Sequence, residues 1–562
     1  MGRKLLDPFA AGERALASGD WLTARETFAA AVAEDGSPDA LNGLGQALWW
    51  LKDIDGAISA RTRAYAGLRS DGRFGEAVKI AVWLAREYRG LYRNDAMADG
   101  WLARARSAAD RANGCAARGW VSVAAAEAAH DVDRATGLLR DAVMVAGQYA
   151  DADLEIVALA RLGVLEVAAG AVEGGLEHLD ESMAAATAGE GRDPQSVGEA
   201  CCALMEAVDL LGDAERVGRW ADAVEGFRRT YDLPWPNVSP VALSALSAFC
   251  GSCCAGIYLV TGRLDEAEEE LTAAIGSLEN DRRHPRCVHP VIQLAELRVL
   301  QGRLEEAGDL LSAVEDLPES ARPLSVLDMA QGFPGRAADR LRVRIDALRS
   351  REVAAFPLWL LLVDAEIARG DLLAAERTAE EASRIASGTG SFRHTAEAAF
   401  VAAKTAAARG SESANLTLRE AAQLLAEAHL PLQACRARLA YASALAECDR
   451  GTAVSEARAA LTAFERMGAS SDADAAAAFL RELGVKGRTG PKKAGLLSDR
   501  EREVLRLVAE GLTNAEIAGR LHISTKTAGH HVSNILTKLC LRSRTEAAAY
   551  AVVNLPREPA GA

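Results

Sequence analysis

The chain has few aromatic residues, few lysines and no long apolar run. Aromatic side chains make up 5% of its 562 residues, and only nine of its 64 basic residues are lysine. Because no run of 18 apolar residues occurs, a transmembrane helix is not expected. The N-terminus lacks the apolar stretch of a signal peptide, and the ten cysteines are too unevenly spaced for a secreted disulfide framework. The sequence therefore predicts a cytoplasmic protein with reduced thiols.

Alanine is abundant and makes up about one residue in five. A hydrophobic content of 49% with 25% charged residues is ordinary for a globular protein and excludes a disordered chain. Alanine, leucine, glutamate and arginine dominate the composition, and all four favour helices. The composition therefore predicts an all-α fold.

Charge is distributed unevenly along the chain. Residues 486–562 carry 13 Lys and Arg against 7 Asp and Glu, a balance of +6, whereas residues 1–485 carry 51 against 72, a balance of −21. A basic segment after an acidic body indicates a polyanionic partner for the C-terminal end alone.

Small and large residues recur at regular spacing in the body of the chain. One set of positions recurs 33 residues later: Gly12, Ala24, Phe28 and Ala31 correspond to Gly45, Ala57, Arg61 and Ala64. A second pattern, Gly-Arg-Leu-Asp-Glu-Ala at 262–267, has a near copy at 302–307 and a looser one at 370–375. Small residues let two crossing helices approach, and a large residue one turn on fills the neighbouring groove. The pattern resembles the tetratricopeptide repeat, which implies a superhelix of stacked α-hairpins.

Proline, glycine and charge indicate the domain boundaries. We expect residues 1–230 and 231–484 to form the first and second parts of the repeat array, with a break at the proline-containing segment 233–237. Residues 485–495 contain glycine, proline and lysine and are predicted to be a flexible basic linker. Residues 496–562 then form a small four-helix domain.

The C-terminal residues contain three helix starts of the capping-box type, at Ser498, Thr513 and Ser543. In such a box a hydroxyl and a carboxylate each satisfy a free backbone N–H group. Apolar residues follow at helical spacing and are expected to face a common core: Val504, Leu505, Val508, Ile517, Ala518 and Leu521. A tight turn then leads to a third helix, Ser524–Leu539.

The third helix has two faces at about 100° per residue. Its apolar face contains Ala528, Val532, Ile535 and Leu539. The opposite face contains Lys526, His530, Ser533 and Thr537, and Thr527, Asn534 and Lys538 lie along one flank, with His531 between that flank and the apolar face. A short helix, a tight turn and a longer helix with a cationic outer face predict a helix-turn-helix that enters the DNA major groove.

The motifs of this segment are Leu-Ser-Asp-Arg-Glu-Arg-Glu-Val-Leu at 497–505, Gly-Leu-Thr-Asn-Ala-Glu-Ile-Ala at 511–518 and His-Val-Ser-Asn-Ile-Leu-Thr-Lys-Leu at 531–539. Through these motifs, residues 496–551 resemble the DNA-binding domain of LuxR-type bacterial transcription regulators. The resemblance implies that Ser524–Leu539 is the recognition helix and that Ser543–Val553 is a dimerisation helix. It also implies base contacts from Gly529, His530 and Ser533, and phosphate contacts from Thr527, His531 and Lys538. The predicted DNA-binding residues are therefore Lys526, Thr527, Gly529, His530, His531, Ser533, Asn534, Thr537 and Lys538.

These observations predict a transcription regulator that binds double-stranded DNA as a homodimer and senses a protein or small effector through its helical repeats. Two departures from the family leave an alternative open. Gly529 stands where the family commonly has lysine, and Ala528 replaces a larger apolar residue. The alternative is a tetratricopeptide-like interaction scaffold with a weak or decayed DNA-binding domain.

No catalytic activity, cofactor or metal is predicted. The phosphate loop of an ATPase needs a Gly-Lys dipeptide, which this sequence lacks. Cys250, Cys253 and Cys254 have no second ligand pair at the spacing of a structural zinc site. The densest aromatic residues either line a groove for an effector or form the core between repeats: Trp49, Trp50, Trp83, Tyr88, Tyr92 and Trp101.

Overall fold

The computed structural model of the chain is built from α-helices, and the part of the chain that it describes contains no strand. It describes residues 7–51, 53–212, 219–220, 255–256, 258–276, 285–485 and 499–521, and positions 525, 528–529, 531–532, 535, 544, 546–548 and 551. The predicted all-α fold class is confirmed. The predicted domain boundaries near 230 and within 485–495 fall outside the described residues, apart from residue 485, and remain predictions.

The chain divides into two compact units. The first comprises Met1–Leu300 and Leu304–Leu483, and the second contains Gly484–Ala562. The first half of the first unit contains α1 Pro8–Ala17, α2 Trp21–Glu34, α3 Pro38–Trp50, α4 Ile54–Ser70, α5 Phe74–Gly90, α6 Asp95–Ala109, α7 Ala117–Glu127, α8 Val132–Tyr149, α9 Ala152–Ala169, α10 Val172–Thr187 and α11 Pro194–Leu211.

After the gap in the described residues, the first unit continues with a second series of helices. They are α12 Leu264–Gly276, α13 Pro285–Leu300, α14 Leu304–Ser312, α15 Ala321–Ala330, α16 Pro334–Ala347, α17 Glu352–Ala368, α18 Leu372–Thr389, α19 Phe392–Ala408, α20 Ala414–Glu427, α21 Pro431–Leu445, α22 Arg450–Met467 and α23 Ser470–Glu482. A short 3₁₀ turn, Pro318–Ser320, precedes α15. Each helix in the described part of the chain is too short or too polar to span a membrane.

The helices of the first unit form two layers. Consecutive helices pack on each other, and most odd-numbered helices also contact the next odd-numbered one, as α5 contacts α7 and α7 contacts α9. The odd-numbered helix α17 contacts α9 and α11, and α13 contacts α23. Because these pairs are far apart in sequence, the array folds back on itself at these contacts.

The recurring small residues lie where helices cross, as the repeat pattern predicts. A Cβ added to Gly12 would lie 2.8 Å from the ring of Phe28. A Cβ added to Gly163 would lie 2.6 Å from both Cγ of Leu179 and the carbonyl oxygen of Gly175. At Gly163, the close approach of the two backbones therefore requires glycine.

The repeated Gly-Arg-Leu motif marks the turns between helices. Gly262, Gly302 and Gly370 have φ of 72°, 75° and 82°. This left-handed conformation ends a helix and favours glycine, because a side chain would clash with the backbone. In the looser copy, Asp371 then caps α18 by accepting a hydrogen bond from the Ala374 N–H at 3.2 Å. The motif thus closes one helix and opens the next.

The core of the first unit is a series of clusters between neighbouring helices. One cluster, centred on Val78 and Leu84, fills the space between α3 and α7. Trp49, Tyr88 and Trp101 pack against this cluster, as expected for aromatics between repeats. Each helix pair therefore buries its apolar face against the next pair, which is why the hairpins must stack.

An ion-pair network joins four odd-numbered helices. Arg86 on α5 contacts Glu127 on α7 at 2.9 Å and Glu199 on α11 at 2.6 Å, and Arg161 on α9 contacts Glu199 at 3.3 Å. Burial alone would raise the pKa of Glu199, but the Arg86 and Arg161 guanidinium groups hold it below its usual value. The network fixes the relative positions of α5, α7, α9 and α11 in the interior of the array.

Candidate nucleic-acid interface

The second unit begins with two helices joined by a sharp turn. Helix α24 spans Asp499–Ala509 and α25 spans Asn514–Leu521. Gly511 between them has φ of 83°, and its N–H donates to the carbonyl of Val508 at 3.1 Å. The N–H of Leu512 donates to the carbonyl of Leu507 at 3.1 Å. These bonds satisfy the last carbonyls of α24 and turn the chain into α25.

The predicted capping box at the start of α25 is present. The backbone N–H and the hydroxyl of Thr513 donate to one carboxylate oxygen of Glu516 at 2.7 and 2.8 Å, and the Glu516 N–H donates to the Thr513 hydroxyl at 3.4 Å. These two donors lower the pKa of the Glu516 carboxyl. The predicted boxes at Ser498 and Ser543 lie outside the described residues.

The described helical residues of the domain enclose a common apolar core. Its members are Val504, Leu505, Leu507, Val508, Ile517, Ala518, Leu521, Ala528, Val532, Ile535, Ala547 and Ala551. This set confirms the inward faces predicted for the first two helices. It also confirms the apolar face of the third helix at Ala528, Val532 and Ile535, whereas Leu539 lies outside the described residues. Ala528 is fully buried, so the smaller residue still packs in the core.

Arg544 holds the turn between α24 and α25. Its Nη1 donates to Oδ1 of Asn514 at 2.9 Å, and its Nη2 donates to the carbonyl oxygen of Leu512. Arg544 lies in the segment Ser543–Val553, for which the sequence indicated a helix start and a dimerisation helix but no role for this side chain. Its spacing from Ala547 and Ala551, three and seven residues, placed it on the inward face and could have indicated the role.

Two of the predicted DNA-binding residues are described, Gly529 and His531. Both are helical and half-buried, and His531 lies beside the buried Val532. A Cβ added to Gly529 would lie 3.5 Å from Nδ2 of Asn514, an ordinary van der Waals distance. Position 529 therefore has room for a side chain. The remaining predicted residues lie outside the described part of the chain: Lys526, Thr527, His530, Ser533, Asn534, Thr537 and Lys538.

Helices around one core, with a glycine turn and a capped second helix, define a helix-turn-helix domain that follows an array of α-hairpins. Residues 495–551 match the model of the family described as bacterial regulatory proteins, luxR family. The C-terminal domain of this chain is a LuxR-family helix-turn-helix domain, as the motifs indicated.

Curated relatives match the same small part of the chain. The response regulator protein VraR of Staphylococcus aureus is 47% identical over 77 residues, which are 13% of this chain and 37% of that protein. The same protein of Staphylococcus epidermidis gives the same values. The chain thus spans little more than a third of the length of these relatives.

Two solved structures cover most of the chain at low similarity. The first is the hetero-tetramer Cut9–Hcn1 of the APC/C, which is 13% identical, covers 83% of this chain and 95% of that chain, and has a TM-score of 0.35. The second is yeast Tom70, which is 13% identical, covers 79% of this chain and 97% of that chain, and has a TM-score of 0.29. Similarity at this level indicates neither the arrangement of the helices nor the function of this chain.

Among the described residues, no three His, Cys, Asp or Glu side chains lie close enough together to bind a metal ion. The cysteines considered in the sequence, Cys250, Cys253 and Cys254, lie outside those residues.

Proposed function

We propose that the protein is a transcription regulator that binds double-stranded DNA through its C-terminal domain. The observation that carries this proposal is the match of residues 495–551 to a family of bacterial regulatory proteins. The balance of +6 on residues 486–562 supports it, because Lys and Arg neutralise phosphate charge. The recognition helix, Ser524–Leu539, would enter the major groove.

The proposed contacts divide into two kinds. Gly529, His530 and Ser533 contact base edges and therefore determine which sequence is bound. Phosphate contacts come from Thr527, His531 and Lys538 and fix the position of the domain on the duplex. Lys526, Asn534 and Thr537 complete the polar surface of the helix.

We further propose how the protein assembles on DNA and what its helical array senses. The DNA-bound form is a homodimer through Ser543–Val553, with half-sites about 10 bp apart. The helical array senses a protein or small effector in the cytoplasm, and the chain carries out no catalysis itself.

Salt dependence of DNA binding tests the proposal. The full chain and a fragment of residues 484–562 are titrated with duplex DNA at several salt concentrations, with a chain that ends at Leu483 as the control. All the core residues that the structure describes in this domain, 504–551, belong to this fragment, so we expect the fragment to fold alone. For the full chain and the fragment, the logarithm of the binding constant should fall linearly with the logarithm of the salt concentration, at a slope of about −0.9 per phosphate contacted, and the control should not bind.

A second candidate function is a protein-interaction scaffold with a decayed DNA-binding domain. Gly529 favours it, because glycine removes the charge common in the family and costs about 1 kcal/mol inside a helix. The same titration separates the two candidates. Failure of both the full chain and the fragment to bind any duplex in dilute buffer would contradict the regulator and favour the scaffold.

A further inference from the structure

A cavity of about 230 Å³ lies in the interior of the array, between α3, α4, α5, α7, α9 and α11. Pockets for drug-sized ligands have roughly 300–1,000 Å³, so this cavity is suited to a smaller molecule, of metabolite size. Its wall contains Arg61, Trp83, Asn42 and Asp193. None of these residues belongs to the helix-turn-helix domain.

Arg61 occupies a position that the repeats otherwise give to an apolar residue. It comes sixteen residues after Gly45, as Phe28 comes sixteen after Gly12 and Leu179 sixteen after Gly163. The packing is also equivalent, because a Cβ added to Gly45 would lie 2.6 Å from Cγ of Arg61. Only 5% of the Arg61 surface is exposed. A guanidinium therefore stands where the fold itself calls for a hydrophobic side chain.

The buried Arg61 charge has no ion-pair or hydrogen-bond partner in the described part of the chain. Its Nε is enclosed and unbonded, and its guanidinium stacks on the ring of Trp83, with Cζ 4.1 Å from the centroid. Burial lowers the pKa of Arg61 to about 10, although the charges of Asp193 and Glu87 act to raise it. Burying a charge without a partner is costly, so an anion bound here would stabilise the protein.

Two further polar atoms in the wall of the cavity are buried without a partner. They are Nε1 of Trp83, a donor, and Oδ1 of Asn42, an acceptor. Buried polar groups are normally hydrogen-bonded, so each such group needs an explanation. A single explanation accounts for all three unbonded atoms around this cavity, namely a ligand that contacts each of them.

Asp193 supplies a negative charge that is not neutralised by an ion pair within the described residues. One oxygen of its carboxylate accepts a hydrogen bond from the Gln195 N–H at 3.0 Å. Burial raises the pKa of Asp193, against the effects of that N–H and of Arg61. The other charged residues of the wall already have partners: Asp39 and Glu76 pair with Arg73, Lys79 with Asp151, Arg86 with Glu127 and Glu199, and Asp153 accepts from the N–H groups of Arg192 and Asp193.

We propose that this cavity binds a small amino carboxylate whose carboxylate accepts hydrogen bonds from Arg61 and Trp83 and whose ammonium donates to Asp193 and Asn42. Such a zwitterion provides an acceptor for both unbonded donors and a donor for both acceptors, and it leaves the net charge of the interior unchanged. Only one part of this inference rests on the proposed function, namely that the bound molecule is the effector of a transcription regulator. Binding itself requires no DNA.

The test is ligand binding to the full chain without DNA, measured by thermal unfolding and calorimetry. The probes are the common L-amino acids, each with its decarboxylated amine and its deaminated carboxylate. At least one amino acid should raise the unfolding temperature progressively with concentration, as mass action requires for a ligand of the native state. Its amine and its carboxylate should each bind at least tenfold more weakly, because each lacks one of the two charges. Equal binding of the carboxylate alone would contradict the assignment of Asp193.

Arg61→Leu provides the decisive variant. Leu179 holds the equivalent position in another repeat, so the variant should fold with an unfolding temperature no lower than that of the wild type, and ligand affinity should fall at least tenfold. Arg384→Leu is the control, because it removes the same charge from an exposed pair with Glu352 and Glu381 and should leave binding intact.

The proposal is overturned if no probe shifts the unfolding temperature, or if the shift persists in Arg61→Leu. DNA binding by the same preparations separates this result from the proposed function. Normal DNA binding without any ligand would reject the cavity site alone. Ligand binding without DNA binding would reject the regulator alone.

Discussion

At the scale of single residues, Gly163 determines how closely α9 and α10 pack. Its missing side chain makes room for Leu179 and for the carbonyl oxygen of Gly175, each 2.6 Å from where a Cβ would lie. The backbone of α10 cannot move away without disturbing the core cluster of Leu179 and Met183. This position is therefore sensitive to one added methyl group.

We predict that Gly163→Ala destabilises the protein by about 1–3 kcal/mol, the usual cost of overpacking a core. Gly137 in α8 is the matched control, since no heavy atom lies within 4 Å of its added Cβ. Gly137→Ala should stabilise the helix by about 0.5–1 kcal/mol. Urea unfolding of both variants checks this pair, and a shift of both midpoints in the same direction would be inconsistent with the helix crossing described here.

Sequence spacing identified the crossings because small and large residues alternate there at fixed distances. It aligned Arg61 with Phe28 but assigned it no role. Whether a charged side chain at such a position has a partner depends on residues from other helices, such as Asp193 at the start of α11, which also lines the cavity. Only the folded arrangement shows that the partner is missing.

At the scale of elements, the start of α19 is tied to the end of α11. Nε2–H of His394 donates to the carbonyl oxygen of Leu210 at 2.8 Å, and the Ser391 hydroxyl donates to the carbonyl oxygen of Leu211 at 2.8 Å. Both bonds satisfy carbonyls that a helix end leaves free. They connect segments about 180 residues apart and hold the fold-back of the array.

The His394 link predicts a loss of stability in acid. Burial, assisted by the charge of Arg393, lowers the pKa of His394 to about 4 from an ordinary value of 6.5. The unfolded chain therefore binds a proton between these pH values that the native protein does not, so stability falls as the pH decreases from 6.5 towards 4. The contribution of this residue should be about 2 kcal/mol smaller at pH 5 than at pH 7.

His394→Gln isolates this effect, because the amide still donates to Leu210 but does not titrate. The free energy of unfolding of both proteins is measured from pH 7 to pH 4.5. The difference between wild type and variant should change steadily over this range in favour of the variant. A constant difference would mean that His394 titrates normally in the native protein.

Helices and turns were predictable from local signals, but their long-range pairing was not. Capping residues and the left-handed glycines at 262, 302 and 370 mark where helices end and begin. Helical periodicity shows which face of a helix is apolar, not which distant helix covers it. The contacts of α17 with α9 and α11 are therefore visible only in the structure.

At the scale of the whole molecule, the two compact units differ in how much of their function the sequence reveals. In the C-terminal domain, fixed motif spacings identified the family and the inward faces of its helices, and its buried core agrees with them. In the repeat array, the sequence predicted stacked hairpins but identified no ligand. The difference is physical, because the proposed DNA contacts lie on one short helix, whereas the cavity is formed by residues from six helices.

The most direct test of the central claim, that the helix Ser524–Leu539 reads DNA, is the selection of bound duplexes from a random library by the full chain and two variants. His530→Ala should relax base preference at one position and cost about 1–3 kcal/mol on the preferred site. Lys538→Ala should weaken binding to all sequences alike and reduce the salt slope by about one. Equal effects of the two substitutions on every sequence, or selection of no duplex by the wild-type chain, would contradict the account.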